Sequence, residues 1–244
     1  MRFGLFADVH GNLEAFEMVR RQLSREAVDE YVFLGDLVGY GADPVACIRL
    51  LREMSAEKPC LCVAGNHDYA VAGRVSSESF TFYARQAVLW TQGILAKDDL
   101  DFLAGFPLMG KTAYFRAVHA SPFAPERWLY FTNINDAHQN FMAFDEPLCF
   151  IGHSHAPVVF SIAERITRCM ELVIPLKRGK RYIINVGSVG QPRDGNPRAA
   201  FAIYDTDQNQ VTVHRVAYEV SLAQAKIIKA GLPKILAYRL FYGK

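Results

Sequence analysis

The chain of 244 residues carries 27 basic and 25 acidic side chains, a net charge of +2, and is 51% hydrophobic and 21% charged. This composition excludes a disordered chain, because there is enough apolar side chain to offset the entropy of ordering, and the near balance of charge gives no broad pull toward nucleic acid or anionic lipid. The five cysteines are odd in number and include no C-x-x-C pair, which argues against a disulfide framework or a zinc ribbon and reads as small buried apolar residues in a reducing compartment.

Residues 2 to 7, Arg-Phe-Gly-Leu-Phe-Ala, form an apolar run that stops at Asp8, and Tyr31 to Leu34 stops likewise at Gly35-Asp36. Both predict buried strands. Between them Leu13, Phe16, Val19 and Leu23 recur at three- and four-residue steps among charged residues, as in a helix lying on a sheet, so the three pieces form a βαβ unit. Asp43-Pro44 predicts the start of a second helix that reaches about Ala56, followed by a strand from Cys60 to Ala64 ending at Gly65-Asn66-His67-Asp68. Residues 80 to 104 read as mainly helical. Strands are predicted at Tyr114 to Val118 and Leu148 to Ile151, ending at His119 and at Gly152-His153, with a helix between them from Asp136 to Phe144.

From Val158 onward the strands are rich in β-branched residues: Val158 to Ile162, Tyr182 to Val186, Ala200 to Tyr204 and Val211 to Val216, the last two joined by a polar hairpin turn. These predict a second sheet packed against the first, an α/β fold arranged as a four-layer α/β/β/α sandwich. Helical segments near 221 to 230 and 233 to 241, separated by Gly231-Leu232-Pro233, pack on it. No linker composition divides the chain, so residues 1 to 244 read as a single domain. Asp8 and His10 interrupt the first apolar run, which leaves no signal-peptide core, and no stretch approaches the ~20 apolar residues of a membrane span. A cytoplasmic protein with no membrane partner is expected.

Of seven histidines, His10, His67, His119, His153 and His155 sit just beyond apolar strand-like runs, and Asp8, Asp36 and Asn66 share that placement. Ligands of open α/β sheets bind in the crevice outside the carboxyl ends of the strands, where groups far apart in sequence converge. Carboxylates, one amide oxygen and several imidazoles together suit Mn²⁺, Fe²⁺ or Zn²⁺ better than Ca²⁺ or a thiolate-selected ion. His138, in the predicted helix, reads as a solvated residue, and His214, alternating with valines, as an exposed strand residue.

The stretches Asp8-Val-His10, Gly35-Asp36, Gly65-Asn66-His67-Asp68, Val118-His119-Ala120 and Gly152-His153-Ser154-His155 together resemble the calcineurin-like metallophosphoesterases, with all five motifs in that family's order. Asn185-Val-Gly-Ser188 is similar to the N-P-G-S turn of the small bacterial and archaeal phosphodiesterase branch, with Val186 replacing the proline. The resemblance implies the four-layer sandwich and two divalent metal ions, manganese favoured over iron or zinc. Asp8, His10 and His155 would hold the first, Asn66, His119 and His153 the second, and Asp36 would bridge them. It further implies a shared hydroxide as the nucleophile for phosphoester hydrolysis, with His67 meeting the leaving oxygen rather than a metal.

Members similar to the Ser/Thr protein phosphatases have an Asp and an Arg where this chain has Gly39 and Tyr40, so that reading is weakened and the partner of His67 is left open. Asp68 is set aside for that role, because neighbouring side chains of an extended segment point to opposite faces. Arg193 and Arg198 read either as a clamp on the substrate phosphate or as loop charges. Asn12 reads as the N-cap of the first helix rather than a substrate contact, and Gly187-Ser188 as either a site neighbour or a tight turn. Loops around Arg127 to Tyr130 and Arg193 to Arg198 would set specificity. A small phosphoester is the expected substrate, phosphodiester and phosphomonoester both open, and self-association stays open. Dinucleoside-polyphosphate hydrolysis, a catalytically silent scaffold and a nuclease are the alternatives. The charge balance disfavours the last, and the intact motifs disfavour the scaffold.

Overall fold

The computed structural model describes residues 1–244. In chain order the elements are β1 (Arg2–Phe6), α1 (Leu13–Arg25), β2 (Glu30–Phe33), α2 (Pro44–Glu57), β3 (Cys60–Cys62), α3 (Asn66–Val71), α4 (Phe82–Ile94) and α5 (Lys97–Ala104). There follow β4 (Met109–Lys111), β5 (Arg116–Val118), α6 (Ala137–Phe141), β6 (Leu148–Ile151), β7 (Val158–Ile162), β8 (Ile166–Cys169) and β9 (Val173–Pro175). β10 (Arg181–Asn185), β11 (Ala199–Asp205), β12 (Gln210–Val216), α7 (Val220–Lys229) and α8 (Lys234–Tyr242) complete the chain.

The strands form two six-stranded mixed sheets, ordered β3-β2-β1-β11-β12-β9 and β4-β5-β6-β10-β7-β8. Period-two alternation explains the layering. Phe3, Leu5, Val32, Leu148 and Phe150 point into the core between the sheets. Phe6, Tyr31 and Phe33 face outward under α1, α2 and α5. Cys149 and Ile151 face outward under α6, with Phe131, Phe141 and Phe144. The α/β sandwich expected from the sequence is therefore present, its two mixed sheets flanked by helices. No helix is long and apolar enough to cross a membrane.

The predicted partition of the strands is corrected. β11 and β12 do not join a separate C-terminal sheet; β11 pairs antiparallel with β1, while the earlier β5 and β6 lie in the other sheet. Both sheets thus mix early and late strands, an arrangement decided by non-local pairing that no local periodicity encodes. β4, β8 and β9 were not foreseen, because they are short and largely exposed. The expected helix over 80 to 104 breaks at Leu95-Ala96, where the backbone turns extended and Leu95 is buried. Cys60, Cys62 and Cys169 are only half-buried, and His214 is half-buried against the Phe201 ring rather than exposed, with 5.1 Å between centroids.

What positions the site is the set of parallel pairs. β1 runs parallel to β2 and β2 to β3 in one sheet; β5 runs parallel to β6 and β6 to β10 in the other. The carboxyl ends of β1, β2 and β3 meet those of β5 and β6 at one end of the seam between the sheets.

Candidate metal centre

The candidate ligands follow strand ends that backbone bonds tie together within each sheet, and His153 N–H donates to Asp8 Oδ2 at 3.0 Å across the seam. Asp8 N–H donates to Gly35 O at 2.9 Å and His10 N–H to Asp36 O at 3.0 Å, which lock the β1 and β2 ends together. Gly152 N–H donates to His119 O at 2.8 Å, locking the β5 and β6 ends. Asp8, His10, Asp36, His153 and His155 all have φ in the left-handed region, between +49° and +66°. For side chains other than glycine each such residue costs about 1–3 kcal/mol and persists only where its surroundings over-determine it. Five of them among the seven candidate ligands turn the carboxylates and imidazoles inward on one point.

At that point Asp8, His10, Asp36 and His155 form one group whose ligand atoms lie within 4.8 Å of one another, and Asp36, His119 and His153 form a second. Asp36 belongs to both. His10 Nε2 lies 3.5 Å from Asp36 Oδ2 and 3.1 Å from His155 Nε2; His119 Nε2 lies 3.3 Å from Asp36 Oδ2 and 3.1 Å from His153 Nδ1. All of these residues are buried. The Asp and His members of the two ligand sets implied by the sequence motifs fall into these two groups, Asn66 standing outside them.

Whether this cage suits divalent cations can be judged from its polar atoms. His10, His119 and His155 each place Nδ1 against a backbone carbonyl, of Val38, Leu34 and Gln191 at 3.1, 2.7 and 2.6 Å. Those acceptors favour a proton on Nδ1 and turn each Nε2 toward the carboxylates, the orientation a metal requires of imidazole. Asn66 Oδ1 and His153 Nε2 are buried without any hydrogen-bond partner. Such orphans are rare unless an ion or water completes them.

The electrostatics agree. Burial pushes His10, His153 and His155 down, His153 to about 3, so they are neutral donors. Burial, reinforced by the charge of Asp36, pushes Asp8 up to about 8. Burial would also raise Asp36, yet the charges of His119 and His67 hold it well below the carboxylate range. His119 rises to about 9 against the effect of burial, because Asp36 and Asp8 retain its proton. The ionised Asp36 thus draws positive charge into the cage, and a divalent cation supplies it more fully than one imidazolium.

Sequence reasoning missed the shell behind the cage. Asp68 was set aside on the premise of an extended segment, but residues 66–71 are helical, and the carboxylate accepts N–H groups from Gly65, Asp36 and Leu37 at 2.8–3.0 Å and Val38 at 3.3 Å. It folds the Asp36 loop and not the His67 ring. An acidic residue at N3 after a glycine N-cap is the capping-box signal that marks it. Gly65 could carry no side chain, since its Cβ would lie 2.0 Å from Asp36 Oδ1. Ser188 Oγ–H donates to Asp8 O at 2.8 Å, and Asn185 Nδ2–H donates to Ser154 Oγ at 3.0 Å, so the Asn185 to Ser188 turn props up the ends of β1 and β6. Asn12 caps α1 as expected, accepting from Ala15 N at 3.1 Å.

Beside the cage a cavity of ≈ 250 Å³ is lined by Tyr40, Asn66, His67, Phe80, Trp128 and Tyr130, with His153 at its base. His67 has no hydrogen-bond partner on Nδ1, and Gly39 explains why: any Cβ there would come within 2.4 Å of that nitrogen. Instead the ring is wedged between Tyr40 and Phe80, with centroids at 4.5 and 4.9 Å. Burial lowers it to about 4. Tyr130 covers the His153 ring at 4.2 Å. The guanidinium of Arg193 sits 5.6 Å above the Tyr40 ring and donates to Gln191 Oε1 at 2.8 Å. Arg198 is exposed and its Nε–H donates to Asn196 Oδ1, so its contacts do not join it to the cage.

A family model for the calcineurin-like phosphoesterase superfamily domain matches residues 1–209, a match that stops short of α7 and α8. An uncharacterized protein of Methanocaldococcus jannaschii is 39% identical over 247 residues, covering 98% of this chain and 97% of its own length. Phosphodiesterase YfcE of Escherichia coli is 26% identical over 215 residues, 85% of this chain and 89% of its own. Among solved structures, a metallophosphoesterase from Sphaerobacter thermophilus is 42% identical with a TM-score of 0.87, covering 100% of this chain and 99% of that one.

Proposed function

Because the chain belongs to the calcineurin-like phosphoesterase superfamily, we propose that it hydrolyses small phosphoesters, diesters included, at a centre holding two divalent cations. The observation that carries this reading is the pair of ligand groups sharing Asp36, completed by the unpartnered Asn66 Oδ1. Asp8, His10 and His155 would hold one ion, Asn66, His119 and His153 the other, and Asp36 both. Cations bound there supply Lewis acidity and bring the ionisation of a water into the neutral range, as manganese, iron or zinc each can. The name of the phosphodiesterase YfcE, a distant relative, favours including diesters.

The chain's own groups do the rest. Arg193 reaches the edge of the cage and binds a phosphate oxygen through its free guanidinium edge. His67, held by rings and free of an internal acceptor, offers an N–H to the leaving oxygen as it gains charge. Tyr40, Phe80, Trp128 and Tyr130 give the leaving group an apolar wall that excludes water.

The test compares p-nitrophenyl phosphate with bis(p-nitrophenyl) phosphate in Mn²⁺, alongside metal analysis of the purified chain. Turnover that tracks about two bound ions per chain is expected. Two bound ions without turnover of either ester would instead favour a silent scaffold.

A further inference from the structure

Helix α8 is apolar on both of its faces. Leu236, Ala237 and Leu240 are turned inward, into a buried cluster that takes in Ala87 of α4 and Ala223 and Ile227 of α7. Ile235, Tyr238 and Tyr242, spaced by three and four residues along one helix face, are exposed instead, and Phe241 beside them is 64% exposed. Lys234 and Arg239 are the only charged residues of the helix. A surface helix keeps its outer face polar, whereas a helix that is apolar all round is buried.

The helix beside it repeats the pattern. α4 buries Ala84, Ala87, Val88 and Thr91 and exposes Phe82, Tyr83 and Leu89. Between the two helices lies a groove of ≈ 650 Å³, lined by Tyr83, Leu89 and Trp90 on one side and by Leu232, Pro233 and Ile235 on the other. α4 and α8 therefore present one continuous surface. Phe82 meets Tyr83 edge-on, and Phe241 meets Tyr242, with centroids at 5.5 and 5.3 Å, so the most exposed rings are braced in pairs.

The extent of this surface decides what it is for. Its seven exposed side chains are each 46–70% exposed, and at ~200 Å² for a whole aromatic side chain they leave roughly 700 Å² of mainly apolar area. That exceeds the largest apolar patch of an ordinary monomer, about 300–600 Å². It is close to the ~800 Å² that each partner contributes to a stable interface. Five of the seven are aromatic and none is charged, the composition of an interface core. The same face carries both an apolar groove and projecting rings, so a single copy holds the two complementary halves that a two-fold pairing joins. A net charge of +2 sets little repulsion against such pairing.

We infer that the α4–α8 face is the interface of a homodimer, the rings of each copy seated in the groove of the other. α4 turns Ala84 toward the cavity beside the cage and these side chains away from it, so the partner backs one wall of the site without entering it. The pairing is independent of the phosphoesterase reading, and neither depends on the other's test.

Sedimentation velocity of the full chain gives the test. At about 10 µM the wild type should sediment with the mass of two chains, since interfaces of this size have dissociation constants of micromolar or below. Leu89→Glu on α4 and Tyr238→Glu on α8 each set a charge in the middle of the face and should weaken the dimer by ~100-fold or more. Met142→Glu, at an exposed apolar residue beside α6 on the opposite helix layer, should leave it intact. Thermal melting of each variant identifies a folding defect, and Tyr238→Ala supplies the same comparison if a glutamate variant does not fold. A wild-type monomer at every concentration, a dimer that the folded α4 and α8 variants keep, or dissociation of Met142→Glu to the same degree would overturn the inference. A monomer that co-sediments with phosphatidylglycerol vesicles would overturn it too, and would give this face to a lipid surface instead.

Discussion

The cage and the cavity beside it share His153 and Asn66 yet are built by opposite means. In the cage, position is set by directional bonds: neighbouring strand ends tied within each sheet, three Nδ1 atoms on carbonyls, and Asp68 gathering the N–H groups of the Asp36 loop. In the cavity, position is set by packing, with His67 held between two rings and no hydrogen bond on Nδ1. Directional bonds tolerate little displacement, as a metal centre demands. Packed rings tolerate exchange, which suits a region that decides which leaving group fits.

If the division holds, substitutions in the two regions should fail differently. The largest effect is expected from Asp36→Asn, which removes the shared carboxylate: bound metal should fall toward one ion or none and turnover by more than ~100-fold. Unchanged metal content by elemental analysis would break the comparison. His67→Ala should come next, with metal retained and kcat lowered by about 10²–10³-fold, most strongly for esters with poor leaving groups. Loss of metal in that variant would mean that the cavity side also holds the ions.

Asp68→Asn sharpens the comparison, because Asp68 meets the ligand Asp36 only through its backbone N–H and offers nothing to the metal itself. With part of the acceptor set for four backbone N–H groups gone, stability measured by urea unfolding should fall by about 2–4 kcal/mol and metal affinity by roughly 10-fold. A folded variant with full metal affinity would show that the Asp36 loop needs no such support.

The smallest effect lies far from both regions. Burial would raise Glu146, but hydrogen bonds from Lys111 and Arg116 hold it at about 2, below its ordinary 4.5. A depressed carboxyl contributes stability above its unfolded pKa and loses that contribution as pH falls toward the folded value. Between pH 4.5 and 2 the wild type should therefore lose about 1 kcal/mol relative to Glu146→Gln, a small figure because Lys111 is exposed and screened. Equal acid sensitivity of the two proteins in urea titrations would show that the pair contributes nothing.

Much of the cage was legible before any coordinates, since each of its residues follows an apolar run and parallel strands deliver their carboxyl ends to one edge. Asp8, His10, Asp36, His119, His153 and His155 needed only that logic and the motif order. Asp68 does not serve His67, as the sequence reading has it, but the premise of an extended segment fails because residues 66–71 are helical, and its role behind Asp36 was therefore invisible. Trp128 and Tyr130 lie in a loop the sequence offers for specificity, whereas Tyr40 and Phe80 left no local trace.

What the sequence determined by itself is the local alternation of apolar and polar residues, hence most strands, the helices and the chemistry placed at strand ends. The tertiary structure alone decided that β11 lies beside β1, that Asp68 gathers the N–H groups of the Asp36 loop, and that α8 packs near Tyr40. Periodicity is a property of neighbours in the chain, whereas these contacts join residues up to two hundred positions apart and depend on which buried surfaces fit.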